Sequence, residues 1–378
     1  MRLLRAICRT LFALTFILSG ILKLMDPVGT GLVVGEYLRI MHLGALSGAS
    51  IHMGVVLSTL EFLVGVSVLV GLEMRIFSGI ALCLTGIFSL LTLYLALFNP
   101  ISDCGCFGEA IHLSNWQTFQ KDLVLLVLAT IIFTGRFKAT KIASPTVQWI
   151  FVGVFAALAL SIAGQSLLGI PQVDFTAYNV GTSLVGDDCS ATPQLETSFI
   201  YEKDGRQQEF NLENLPDSTW TFVDSRTLEN GKLEGAPDFH LECQSGPCFV
   251  VTVYDRERLD STQISLVEAL ETQASLAAIP FEVICDADPK TLVTLNRSNG
   301  GITYFNDGII VGKWGANHLD GFDLSLVLEQ DPDVMILEHR IHQQLYISII
   351  ILSILTMLLV IRYVCRMTYK SPSGEKTS

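Results

Sequence analysis

The chain has 378 residues, half of them hydrophobic and only 16% charged, with a formal net charge of −13. So apolar a composition excludes an ordinary soluble protein and calls for several membrane spans joined to a water-exposed part. The acidic balance argues against nucleic acid as a partner, because such a surface repels phosphates.

Six segments approach the roughly 20 apolar residues that a helical span needs: about 7–25, 51–72, 76–98, 123–135, 147–168 and 345–364. The first follows Arg2, Arg5 and Arg9, as a secretory signal would. It lacks a small-x-small cleavage site and runs on through Lys23 to Asp26-Pro27, so it reads as a retained helix, with Lys23 as a snorkelling interface anchor. Glu36-Tyr37-Leu38 falls in the first outer loop. Glu61 sits well inside the second span. An ionisable group there is costly, so it either serves function or holds helices together. The fourth span is short and rests on the topology.

Between the third and fourth spans lies Ser102-Asp103-Cys104-Gly105-Cys106-Phe107-Gly108. Cys104 and Cys106 at a membrane surface are able to form a disulfide with each other, with a partner protein or through a membrane-borne oxidant; the alternative is a passive clip. Asp103 and His112 flank the pair and would tune its reactivity. Cys104, Cys106 and His112 lack a fourth ligand and have poor spacing for zinc, so no metal is expected.

The basic residues orient the spans by the positive-inside rule. Arg2, Arg5 and Arg9, then Arg75, then Arg136, Lys138 and Lys141, then Arg362, Arg366, Lys370 and Lys376 all fall on one face if the spans number six. That face is the cytoplasm, with both termini on it. The cysteine loop and residues 172–344 then lie outside, which places the chain in a bacterial inner (cytoplasmic) membrane with a periplasmic domain. Residues 171–344 hold 29 acidic and 10 basic side chains, a net charge of −19 with His neutral. This is either a well-solvated surface or a site for a basic partner. Cys104, Cys106, Cys189, Cys243, Cys248 and Cys285 would face an oxidising compartment, where disulfides persist. Cys8, Cys83 and Cys365 read as packing residues.

Outside the membrane the pattern turns to alternation. Residues 198–201 and 209–212 flank Asp204-Gly205, a hairpin signal, and 219–223 is a further strand. A strand over 248–255, a helix over 261–277, a strand over 281–285 and a short helix from Pro289 follow. A hairpin over 301–314 then turns at Asn306-Asp307-Gly308, and the last helix covers 319–329. This order is that of a thioredoxin-like fold. Gly300 falls where thioredoxins carry a cis-proline, and Tyr254-Asp255-Arg256-Glu257-Arg258 stands where they carry Cys-x-x-Cys. Cys243 and Cys248, with Gly-Pro between them, are the candidates for a structural disulfide. Cys285 reads as a core residue, and Cys189 lies in an irregular linker.

The motif Ser19-Gly20-x-x-Lys23-x-x-Asp26-Pro27, then Glu36-Tyr37-Leu38, Glu61, Asp103-Cys104-Gly105-Cys106-Phe107-Gly108, Asn115-Trp116 and Lys121-Asp122 resembles the DoxX/MauE superfamily over residues 1–140. The resemblance implies a four-helix membrane bundle related to that of vitamin K epoxide reductase. MauE proteins are linked to maturation of methylamine dehydrogenase, whose small subunit is rich in disulfides; DoxX proteins are tied to thiol stress and respiratory oxidation. Blocks at 199–205, 217–224 and Arg297-Ser298-Asn299 are similar to a narrower DoxX-family group with an outer domain. In that group a proline commonly follows the last block, where this chain has Gly300.

The expected architecture is therefore an α-helical membrane bundle with an α/β thioredoxin-like extracytoplasmic domain. Its parts are a DoxX/MauE-like domain (1–140), a fifth membrane helix (141–171), a linker (172–196), a β-rich segment (197–235), a thioredoxin-like domain without Cys-x-x-Cys (236–335), a last membrane helix (345–364) and a tail (365–378). The leading functional reading is a thiol–disulfide redox protein of the membrane, with Cys104, Cys106 and Glu61 as its working residues. It acts on an extracytoplasmic partner or thiol client, needs no bound cofactor and admits a quinone as acceptor. The alternatives are a non-enzymatic envelope scaffold, or transport through the bundle using Glu61 and Lys23, which lacks the broken-helix pairs of inverted-repeat transporters.

Overall fold

The computed structural model describes residues 2–101, 104–138, 143–184, 195–203, 206–211, 221–229, 245–285 and 288–368. Helix α1 (Arg2–Met25) stops at Asp26-Pro27, and the same dipeptide starts α2 (Pro27–Ile40): Asp26 caps it by accepting from the Gly29 N–H, with Pro27 in the first turn. At 14 residues α2 is too short to span a bilayer. It packs on α3 (Ser50–Val70), where a Cβ at Gly31 would lie 2.9 Å from the Ile51 Cα. Gly71, at φ +98°, ends α3 in the left-handed conformation. Then follow α4 (Met74–Phe98), the short extended β1 (Cys106–Glu109), α5 (Asn115–Gly135), opened by a Ser114/Gln117 capping box, and α6 (Pro145–Leu168).

Among the described residues six helices are long and apolar enough to cross a membrane: Arg5–Met25, Gly44–Val70, Met74–Phe98, Asn115–Gly135, Pro145–Leu168 and Pro332–Val364. The chain is a multi-pass membrane protein. Two spans are longer than the hydropathy suggested. The fourth begins at Asn115, because its polar first turns point into the bundle. The sixth begins at Pro332, because its first turns pack on the outer domain through Met335 and Ile336. Glu36-Tyr37-Leu38, expected in a loop, lies in helix α2. Cys8 is buried as expected, but Cys83 is exposed on the outside of the bundle and packs no core.

Helices α1 and α3 meet almost backbone to backbone. A Cβ on Gly20 would stand 2.7 Å from the Phe62 nitrogen and 2.9 Å from the Ser58 carbonyl; one on Gly65 would stand 2.8 Å from the Ile17 nitrogen. Small residues at such a crossing let helices approach closely where lipid supplies no hydrophobic drive. Gly20→Ala must push the helices apart and is expected to cost about 1–3 kcal/mol. It should appear as a lower unfolding midpoint of the detergent-solubilised protein; an unchanged midpoint would show that this crossing tolerates separation.

Outside the bundle, β2 (Leu195–Lys203), β3 (Arg206–Asn211) and β4 (Thr221–Glu229) form an antiparallel sheet in the order β3-β2-β4. Lys203 pairs with Arg206; the expected turn residues Asp204 and Gly205 lie outside the described residues. A second, mixed sheet holds β5 (Pro247–Thr252), β6 (Phe281–Ile284), β7 (Gly301–Asn306) and β8 (Ile309–Trp314) in the order β6-β5-β7-β8. β5 runs parallel to β6 and antiparallel to β7. Alternate residues of β5 feed two cores. Phe249 and Val251 face α7 (Ser261–Leu276), while Cys248 and Val250 face α8 (Pro289–Leu295) and the segment around Tyr178 and Val180. Burial on both faces explains the unbroken apolar run. The last expected helix is shorter than its pattern: Gly321, at φ +73°, breaks it into a 3-10 turn (Ala316–His318) and α9 (Leu324–Leu328). The chain then enters α10 (Pro332–Thr368), a single rod that joins this sheet to the bundle. Its Ile350, Ile354 and Ile361 pack with Phe155, Ala159 and Ile162 of α6.

Candidate functional site

Cys104, Cys106 and Glu61 come together at one pocket of the membrane domain, which Lys23, Tyr37, Lys121 and Asp122 also line. Gly105, at φ +61°, makes the turn between the cysteines and lies against Val33 of α2; Gly108, at φ +63°, closes it by donating to the Gly105 carbonyl at 3.0 Å. Neighbouring helices hold the turn. The Tyr37 hydroxyl donates to the Cys104 carbonyl at 2.6 Å, and Asn115 donates to the Ile101 carbonyl at 2.7 Å.

The two thiols are in hydrogen-bond contact and unlike each other. Cys104 is buried, with its sulfur 3.6 Å from Thr118 Oγ1. The hydrogen bond from Cys106 outweighs burial and, with Thr118 and the Lys121 ammonium, lowers the Cys104 pKa to about 7. The same hydrogen bond, burial and the neighbouring Cys104 charge push Cys106 well above the ordinary thiol value. One sulfur is thus poised as thiolate and the other held as thiol.

Below the pair lies a buried ion pair. Lys23 Nζ is 2.9 and 3.0 Å from the two Glu61 oxygens, and both side chains are shielded from solvent. Lys23 is therefore not the snorkelling anchor expected of it: α1 turns it inward, where Glu61 on α3 compensates its charge. The Ser19 hydroxyl lies 2.8 Å from both Glu61 Oε2 and the Cys106 carbonyl, joining the pair to the cysteine turn. Lys121 lies 3.1 Å from Asp122 Oδ1 and 4.8 Å from the Phe107 ring centroid, and Asp122 Oδ2 is a buried acceptor with no hydrogen-bond partner among the described residues. Thr118 had no place in the sequence reading, and Lys121 and Asp122 entered it only as part of the family motif. Their signal was spacing: 118, 121, 122 and 125 share one helix face.

The outer domain reaches this site. Arg297, which follows α8, places Nη2 2.7 Å and Nε 3.1 Å from Asp26 Oδ2, and Nη2 3.3 Å from Glu109 Oε1 at the end of β1. Burial works against its charge, but the two carboxylates outweigh that and raise its pKa. A second, exposed bridge joins Lys290 to Glu36 at 2.9 Å.

Of the remaining candidates, Cys248 is disulfide-bonded to a cysteine whose side chain lies outside the described residues. Asp103, Cys189 and Cys243 lie outside them too, as does the Cys365 side chain. His112 stands at the surface. Cys285 is partly buried at the end of the edge strand β6 and packs against the Phe249 and Val251 core, with the Arg256 guanidinium 2.6 Å from its sulfur. Gly300 has φ +76° and donates its N–H to the Thr252 carbonyl. No group of His, Cys, Asp and Glu among the described residues is arranged to hold a metal ion.

Residues 195–229, the three-stranded sheet, match the family described as Domain of unknown function (DUF8463). No curated protein and no solved structure matches the chain. Residues 1–135, which carry α1 to α5 and every residue around the cysteine pair, match the family Methylamine utilisation protein MauE; the chain is thus a membrane protein with a MauE-like helical domain.

Proposed function

We propose that the chain is a membrane thiol–disulfide exchange protein whose working pair is Cys104 and Cys106. The observation that carries this reading is the asymmetry of the pair, two thiols in contact that line a charged pocket, one lowered and the other raised in pKa. The Cys104 thiolate attacks a disulfide of an extracytoplasmic protein, forming a mixed disulfide and releasing a partner thiolate, which takes up a proton. Cys106, losing its proton, then displaces the partner's second sulfur and closes the Cys104–Cys106 disulfide. Run in reverse, the same two steps carry a disulfide to a client dithiol. The direction follows the relative potentials. A membrane quinone is the alternative oxidant of the pair. Glu61 acts through Lys23 and Ser19 to hold the turn.

In this reading both termini are cytoplasmic and the sheet domains are periplasmic. The element order and the strand order β6-β5-β7-β8 support a thioredoxin-like domain. Tyr254-Asp255-Arg256-Glu257-Arg258 at the carboxyl end of β5 leaves that domain to bind a partner rather than to exchange thiols.

The test is the redox state of Cys104 and Cys106 in intact cells, by alkylation and mass spectrometry, with and without a reductant challenge. A pair that shifts between dithiol and disulfide is expected. A pair that holds one state throughout would make it a structural clip, and the envelope scaffold would become the better reading.

A further inference from the structure

Arg297 stands 271 residues from Asp26 and 188 from Glu109 in sequence, yet one guanidinium holds both. Each carboxylate belongs to an element that grips the cysteine turn. Asp26 caps α2, the helix that puts Val33 against Gly105 and Tyr37 on the Cys104 carbonyl. Glu109 ends β1, the strand that starts at Cys106. Arg297 itself is 5% exposed and is fixed from its own side by donating to the Val293 carbonyl of α8 at 3.2 Å. A buried charge with three acceptors in fixed directions is a geometric clamp that Lys, with a single ammonium, does not reproduce. Cys104 is 3% exposed, so exchange with a protein requires the turn to move.

We propose that Arg297 of the outer domain is a positioning residue for Cys104 and Cys106, so that the seating of the outer domain on the bundle sets the reactivity of the membrane pair. This rests on the thiol–disulfide reading of the pair. A partner that lifts α8 from the bundle would free α2 and β1 together and release the turn.

The experiment is the pH dependence of Cys104 alkylation in the full-length protein in native membranes, in variants carrying Arg297→Gln, Arg297→Lys or Lys290→Gln. Without the clamp, Cys104 loses its fixed place beside Thr118 and Lys121, and the pH of half-maximal reactivity should rise by about one unit. Arg297→Lys reaches Asp26 but not Glu109 as well, so it should shift in the same direction, and it carries the test if Arg297→Gln fails to accumulate. Lys290→Gln removes an exposed contact between the same two domains and should leave the profile where it is. Midpoints in both Arg297 variants equal to that of the unsubstituted protein would overturn the proposal while leaving the redox reading intact. A Cys104 that resists alkylation at every pH in the unsubstituted protein would overturn both.

Discussion

Glu61→Leu lowers the stability of the membrane domain by about 3–5 kcal/mol, and adding Lys23→Met to it restores most of the loss. The first substitution leaves the Lys23 ammonium in a bundle interior where Glu61 had been its hydrogen-bonded counter-charge, at 2.9 and 3.0 Å. The cost is that of an unpaired buried charge, and it removes a large share of the roughly 5–15 kcal/mol that holds a domain together. The pair as a whole contributes little net stability, since burying it forfeits the hydration of both ions. Unfolding midpoints of the two single variants and the double variant in detergent close the cycle. Additive losses in the double variant would sink the argument, because they would mean that the two side chains do not compensate each other.

The parts of this architecture that could be read from the sequence are those whose signal is local. Apolar runs marked five helices and the topology called for the remaining one, and Asn306-Asp307-Gly308 marked a hairpin turn. Helix α2 was lost because only Glu36-Tyr37-Leu38 was placed there, in a loop; at Gly31 a Cβ would lie 2.9 Å from the Ile51 Cα of α3, a close approach that a single strand of letters does not display. The start of α5 was lost because Thr118 and Asp122 lower its hydropathy, and they do so because they face a polar cavity. Lys23 and Glu61 were both visible as ionisable groups in or beside apolar segments, but their pairing depends on the rotation of α1 against α3. Arg297 was visible only as part of a recurring block. Its partners lie in another domain, and a hydrogen bond across 271 residues leaves no periodic trace. The cysteine pair was found because two thiols one residue apart need no fold to be neighbours; which of them is the thiolate depends on the direction of the hydrogen bond between them and on Thr118, and so on the fold.

That difference sets the second large expected effect. Cys106→Ser yields a protein that accumulates as a mixed disulfide through Cys104, whereas Cys104→Ser yields one that stays reduced at neutral pH. With a pKa of about 7, Cys104 is about half ionised at pH 7, against about 3% for an ordinary thiol. Its lower basicity costs about fivefold in intrinsic nucleophilicity, so the net advantage over an ordinary thiol is about threefold, and it widens as the pH falls. Cys106 is pushed the other way, by its hydrogen bond to Cys104 and by burial, so its thiolate share at pH 7 falls below that of an ordinary thiol. Serine at position 106 keeps an O–H donor beside the Cys104 sulfur while removing the group that would resolve the mixed disulfide. Non-reducing electrophoresis of cells quenched with acid, followed by mass spectrometry of the adduct, reads the outcome and identifies the partner. Adducts should diminish as cells are buffered below pH 7 and the Cys104 thiolate is protonated. Equal adducts from both single variants would assign the asymmetry no chemical consequence. Adducts from neither would return the cysteine turn to the role of a clip that fastens α2 to the bundle beneath the outer domain.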